Sequence, residues 1–199
     1  MQEYSYSSLY PGDDSIRLLC LLPDEDESAP IRCQLVNHSL QQTDRGAHLY
    51  EALSYVWGAP GSLPPIYIGN TCLNVTENLH AALTRLRDRS FERIFWVDAV
   101  CINQKDNQEK GGQIQLMAQI YSQASRVVIW LGGAENDSEQ ALEDIRVAAE
   151  DESGTSDSVP SSREPNKEAI LKLLERPWFQ RIWVRANKTT YSNMKAGYH

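Results

Sequence analysis

Positive charge is in short supply in this sequence of 199 residues: 19 lysines and arginines stand against 27 aspartates and glutamates, a formal net charge of −8. Duplex and single-stranded nucleic acids and anionic lipid surfaces all select a basic face, so none is expected as a partner. No apolar run is long enough to cross a bilayer. The first residues, MQEYSYSSLYPGDD, lack the basic and apolar regions of a secretory leader. Cysteine is sparse too. Cys20, Cys33, Cys72 and Cys101 are widely separated and show no CxxC spacing. Without a leader, the expectation is a reducing cytoplasmic compartment, with the thiols as small buried hydrophobes. His38, His48, His80 and His199 are scattered without metal-ligand spacing, and GxGxxG, Walker, GxSxG and HExxH motifs are all missing. No metal site is expected, nor a zinc or Ser-His-Asp enzyme, and the residues call for no resident cofactor.

What is present is a globular composition, 41% hydrophobic. Residues 15–22 (SIRLLCLL) and 31–36 (IRCQLV) read as two strands of a hairpin around the acidic turn at 24–27. LSYVW at 53–57 is β-rich and stops at Gly58, and Gly69-Asn70 separates two further short strands. From Thr76 the period changes to helical, with Leu79, Leu83 and Leu86 on one face and Thr76 as N-cap. RIFWV at 93–97 and RVVIWL at 126–131 read as strands buried on both faces. The helix expected between them, 107–123, carries apolar Ile114, Met117, Ile120 and Tyr121. Another helix is expected over 138–149, a mobile polar loop over 150–166, and a short helix over 167–175.

Strands alternating with helices after residue 76 imply an α/β fold with a mainly parallel sheet flanked by helices, the N-terminal hairpin strands adding an antiparallel part. Ligands of such sheets bind beyond the C-terminal strand ends, which here carry Asp98 and Gly132. The densest polar cluster, 98–106 (DAVCINQKD), follows a buried strand and opens a helix. Asp106 and Glu109 have capping-box spacing and are expected to be structural, whereas Asp98 and Asn103 stay open to chemistry. Cys101 could be a nucleophile, although a buried thiol is the commoner case. The five tryptophans (Trp57, Trp96, Trp130, Trp178, Trp183) read as core, with base stacking the alternative.

Four ordered blocks resemble the fungal heterokaryon incompatibility (HET) domain family. Tyr50-Glu51-Ala52-Leu53-Ser54-Tyr55-Val56-Trp57-Gly58 is similar to the family's opening motif. Phe95-Trp96-Val97-Asp98-Ala99-Val100-Cys101-Ile102-Asn103-Gln104, with Asp106 and Glu109, is similar to its central block. Gln113, Met117, Ile120, Tyr121, Ala124 and residues 128–132 continue the pattern, and Arg176-Pro177-Trp178-Phe179 with Arg181 and Trp183 resembles the late segment. The resemblance implies an N-terminal strand region at 1–49, a HET domain at 50–185 and an atypical tail at 186–199. It implies fungal non-self recognition and programmed cell death, acting through protein partners or self-association. It also implies kinship with TIR domains and their flavodoxin-like fold, some of which cleave NAD with a helical glutamate. NAD is then a possible substrate and a nucleotide a possible ligand.

The family's late Gln-Glu pair is replaced by Ala186 and Asn187, and Asn187 supplies no carboxylate. The alternatives left open are a TIR-like NAD hydrolase and an inactive truncated fragment. The candidate pocket combines Ser54, Trp57 and Gly58 with Asp98 and Asn103.

Overall fold

Each hairpin and crossover expected from the periodicities forms in the computed structural model, which describes residues 2–9, 14–41, 49–58, 61–135, 137–152 and 165–180. The strands are β1 (Gln2–Glu3), β2 (Ser15–Leu21), β3 (Arg32–Ser39), β4 (Glu51–Tyr55), β5 (Pro65–Ile68), β6 (Thr71–Asn74), β7 (Arg93–Trp96) and β8 (Arg126–Trp130). The helices are α1 (Glu77–Leu86), α2 (Asp98–Cys101), α3 (Asn107–Gln123), α4 (Ser138–Glu152) and α5 (Lys167–Leu174), with a 3-10 turn at Pro177–Gln180. The described residues fall into two units, one through Trp130 and one from Leu131 onward.

The first unit is built on one eight-stranded sheet in the order β1-β6-β5-β3-β2-β7-β4-β8. Its class is α/β and its sheet is mixed. β7, β4 and β8 run parallel at one end. The antiparallel β2–β3 hairpin joins them through β2, which pairs antiparallel with β7. The N-terminal strands therefore continue the same sheet. β2 is buried along its whole length, as a central strand must be when both faces are covered.

The β4-to-β7 connection passes through α1 and the β7-to-β8 connection through α3, in opposite directions across the sheet. Right-handed crossovers in opposite directions place their helices on opposite faces. Side-chain alternation agrees. Trp96 of β7 meets Tyr121 of α3 edge-on at 5.7 Å, while Trp130 of β8 donates to Asn78 of α1. Leu79, Ala82 and Leu83 are the buried positions of α1, and Thr76 caps it by accepting from the Leu79 amide, as its sequence position predicts.

Three expectations need correction. Ile114, read as part of the inner face of α3, is 52% exposed; Gln113 and Ile120 are the buried positions instead. Glu51–Tyr55 is the strand, so Val56 and Trp57 already lie in the loop beyond it. At the ends of the segment expected as a loop at 150–166, residues 150–152 continue α4, and Asn166 caps α5 by accepting from the Ala169 amide. Residues 153–164, and the tail at 186–199 with Asn187, lie outside the described residues.

In the second unit Ala141 of α4 packs with Ala169 and Leu173 of α5. Arg176 donates to the carbonyls of Leu131 and Glu135, so the late aromatic segment begins with a residue that ties its own unit together. Trp178 is buried there, in line with the core reading.

Two features give measurable expectations. Gly111 and Gly112 stand in the middle of α3, where a Cβ would meet nothing within 4 Å. Alanine at Gly111 is expected to stabilise the fold by about 1 kcal/mol, through helix propensity and a less disordered unfolded chain. Urea unfolding checks it. Burial lowers the pKa of both His38 and His80, the latter also through nearby Arg87. A folded-state pKa below the unfolded value means that the unfolded chain binds more protons. The stabilising neutral form is complete above the unfolded histidine pKa of about 6.5, and stability falls as pH drops from there toward the folded values. A double His38→Gln, His80→Gln variant should flatten that part of the stability–pH curve.

Candidate functional site

Because β4, β7 and β8 are parallel, their C-terminal ends open on one edge of the sheet, where open α/β proteins bind ligands. β4 runs out into Val56, Trp57 and Gly58. β7 runs through Val97 into Asp98, which opens the one-turn helix α2. The Trp57 indole Nε1 donates to Asp98 Oδ2 at 3.2 Å, while Asp98 Oδ1 accepts from the Ala99 amide at 2.8 Å. The carboxylate thus holds its own short helix and anchors an aromatic plate. Trp57 is 41% exposed and not the core residue the tryptophan pattern suggested. Gly58 has φ +85°, a left-handed conformation that glycine adopts without strain.

Two further residues, not singled out from sequence, complete this edge. Asn78, in the first turn of α1, donates to the Val56 carbonyl at 2.6 Å and accepts from Trp130 Nε1 at 2.8 Å, so it fastens the end of β4 to the end of β8. Gln104 donates to the Asp98 carbonyl at 2.8 Å and ties the end of α2 back to its start. Asn78 left no periodic trace, since an asparagine just inside a helix reads as an ordinary first-turn residue. Gln104 lies in the central block, but its backbone-directed amide has no sequence signal beyond that.

The remaining predicted pocket residues are placed otherwise. Ser54 is only 1% exposed, and alternation along β4 puts it on the α3 face with Ala52 and Trp96, under the sheet edge and not on it. Asn103 serves the local chain: its Oδ1 accepts from the Lys105 amide at 3.2 Å, an Asx turn, and its amide donates to Glu109 Oε1 at 2.7 Å. Trp57, Gly58 and Asp98 are thus the predicted residues gathered at the edge.

Asp106 caps α3 as its spacing predicts, accepting from the Gln108 and Glu109 amides. Glu109 does not close the capping box. Its carboxylate pairs with Arg17 in both oxygens, at 2.6 and 3.0 Å, and the Asp106 amide donates to the Asn103 carbonyl instead. Arg17 is 1% exposed, donates also to the carbonyls of Cys101 and Ser7, and lies 4.9 Å from the ring centroid of Tyr6. A single buried ion pair therefore supports the whole 98–109 segment from beneath. Tyr6 completes the support by donating to the Val100 carbonyl, and burial raises its phenol pKa.

Cys101 takes the commoner buried role. It is fully buried, its sulfur accepts from the Val97 amide at 3.3 Å, and burial pushes its thiol up to about 12. Cys33 is pushed up to about 12 in the same way. With iodoacetamide under native conditions, half-buried Cys72 is expected to alkylate first, and Cys33 and Cys101 only on unfolding. Among the described residues no three His, Cys, Asp or Glu side chains form a metal-binding group, and no helix is long and apolar enough to cross a membrane. The edge can stack a planar group on Trp57 and accept hydrogen bonds at Asp98.

Residues 50–185 match the family described as Heterokaryon incompatibility protein (HET). Heterokaryon incompatibility protein 6, OR allele, of Neurospora crassa is similar at 31% identity, over 91% of this chain and 33% of that protein. The chain therefore spans about a third of the length of the curated relative it matches. No solved structure matches it.

Proposed function

The chain belongs to the heterokaryon incompatibility family, and from that premise we propose that it acts in fungal non-self recognition as a module signalling programmed cell death. The observation that carries this reading is the fit of the family blocks to one edge. Trp57 and Gly58 come from the opening motif and Asp98 and Gln104 from the central block, and they converge at the C-terminal ends of adjacent parallel strands. The partners are proteins or further copies of the chain, and the compartment is the cytoplasm. Conditional expression in a filamentous fungus tests the reading: folded protein should lower hyphal viability by vital-dye staining, and unaffected hyphae containing folded protein would count against it.

A second reading, a TIR-like NAD hydrolase, draws on one observation, the exposed indole of Trp57 bonded to the Asp98 carboxylate. That pair suits a nucleotide, with the base or nicotinamide ring on the indole and ribose hydroxyls on the carboxylate. Nicotinamide release from NAD should be absent in the chain as it stands, where Asn187 replaces a carboxylate, and should appear in an Ala186→Gln, Asn187→Glu variant. Release by the unaltered chain would overturn the role assigned to the missing glutamate. Silence from both, with both folded, leaves signalling through assembly as the surviving account.

A further inference from the structure

A groove of about 400 Å³ lies along the N-terminal half of α3, and neither Trp57, Gly58 nor Asp98 lines it. Its walls include Leu9, Asp14, Asp106, Gly112, Gln113 and Leu116, and no lysine or arginine is among the described residues that line it. Two observations about it have no explanation inside the first unit. The first is Gly112. Glycine weakens a helix, and here no neighbouring atom within 4 Å requires it. The second is Gln113. It is 5% exposed and held by donation from Nε2 to the Ser15 carbonyl at 2.8 Å, yet among the described residues no group donates to its buried Oε1. A buried acceptor without a donor is costly, and a groove-lining one is satisfied by whatever fills the groove.

We propose that this groove binds a basic peptide segment of a partner protein, presenting an arginine or lysine head to Gln113 Oε1 and to the Asp14 and Asp106 carboxylates. Charge complementarity selects the head group: the lining offers three carboxylates, of which only that of Glu109 is matched by a buried guanidinium. Leu9 and Leu116 in the lining favour a peptide over a small inorganic or polyamine cation, which would leave them in water. Gly112 leaves room for a main chain to run close to the helix, and its helical φ accepts a side chain without strain. The groove shares no lining residue with Trp57, Gly58 or Asp98, so its failure would leave the proposed function untouched.

Fluorescence anisotropy of a labelled, end-blocked peptide alternating arginine and leucine tests this on the whole chain. Binding should be saturable and should weaken with salt. Gly112→Leu, which fills the groove without touching the core, should weaken it roughly tenfold or more while circular dichroism stays unchanged. Asp106→Asn keeps the helix cap but removes the charge, and should weaken binding about threefold, the size of one exposed charge pair. A glutamate-for-arginine peptide should not bind. Lack of saturable binding by the wild-type chain, or full affinity in Gly112→Leu, would overturn the proposal. So would equal displacement by spermidine, which would mean a small-cation site, or a dimer that Gly112→Leu dissolves without any peptide binding.

Discussion

Arg17→Ala is expected to destabilise the chain by about 3–5 kcal/mol, the cost of stranding a carboxylate in a largely buried site. Glu109 has only 11% of its side chain in contact with solvent, and its partner lies at the centre of the sheet on β2. Removing the guanidinium removes both bonds to Glu109 and the donations to Cys101 and Ser7, so the 98–109 segment loses its support from beneath. Against a total stability of about 5–15 kcal/mol for a domain, that loss takes a large share. Arg17→Met with Glu109→Leu should recover part of it, because no charge is then left unpaired. Recovery should be incomplete, since Asn103 loses the carboxylate that accepts its amide. Urea unfolding of the two single variants and the double variant gives the coupling energy directly.

Glu51→Ala is the second large effect, expected at about 2–3 kcal/mol. Glu51 starts β4 and lies between Arg93 at the start of β7 and Arg126 at the start of β8. It accepts from Arg93 in both oxygens and from Arg126 at 2.5 Å, and all three side chains are partly buried. Without the carboxylate, two guanidiniums face each other across the gap with no anion between them. The value lies below that for Arg17→Ala because Arg126 is about one-third exposed and water screens it. The triad sits at the N-terminal ends of the parallel strands, opposite the edge that carries Trp57. Glu51→Ala should therefore lower the unfolding midpoint without changing what the edge binds while the protein remains folded.

These two sites mark what could and could not be read from the sequence. The helical period after Thr76, the hairpin at Gly69-Asn70 and the bounds of α3 follow from local rules, namely caps, turn residues and spacing, and they form where expected. Glu109 does not obey its local rule. Its capping-box spacing is real, but a guanidinium 92 positions earlier in the chain competes for the carboxylate and wins, because a buried bidentate pair is worth more than one backbone cap. Ser54 turns away from the edge where it was expected, and Trp57 lies in the loop there and not in the core, for a related reason. The strand ends at Tyr55, two residues before the apolar run does, so Trp57 emerges at the surface while alternation turns Ser54 inward. Asn78 was illegible, since its role is to join the ends of two strands that are neighbours only in the folded sheet. The central motif residues were legible as a block, with Asp98 expected at the C-terminal strand ends, but only the fold shows that Asn103 belongs to the supporting turn.

The most direct test of the edge assignment is hyphal viability on conditional expression of the wild-type chain beside Trp57→Ala, with both confirmed as folded by thermal melting. Trp57 is largely outside the core and Asp98 retains the Ala99 amide, so the substitution should leave the fold intact. The account predicts loss of viability with the wild-type chain and survival with Trp57→Ala at equal protein level. Equal killing by both would contradict it and place the signalling surface elsewhere on the domain.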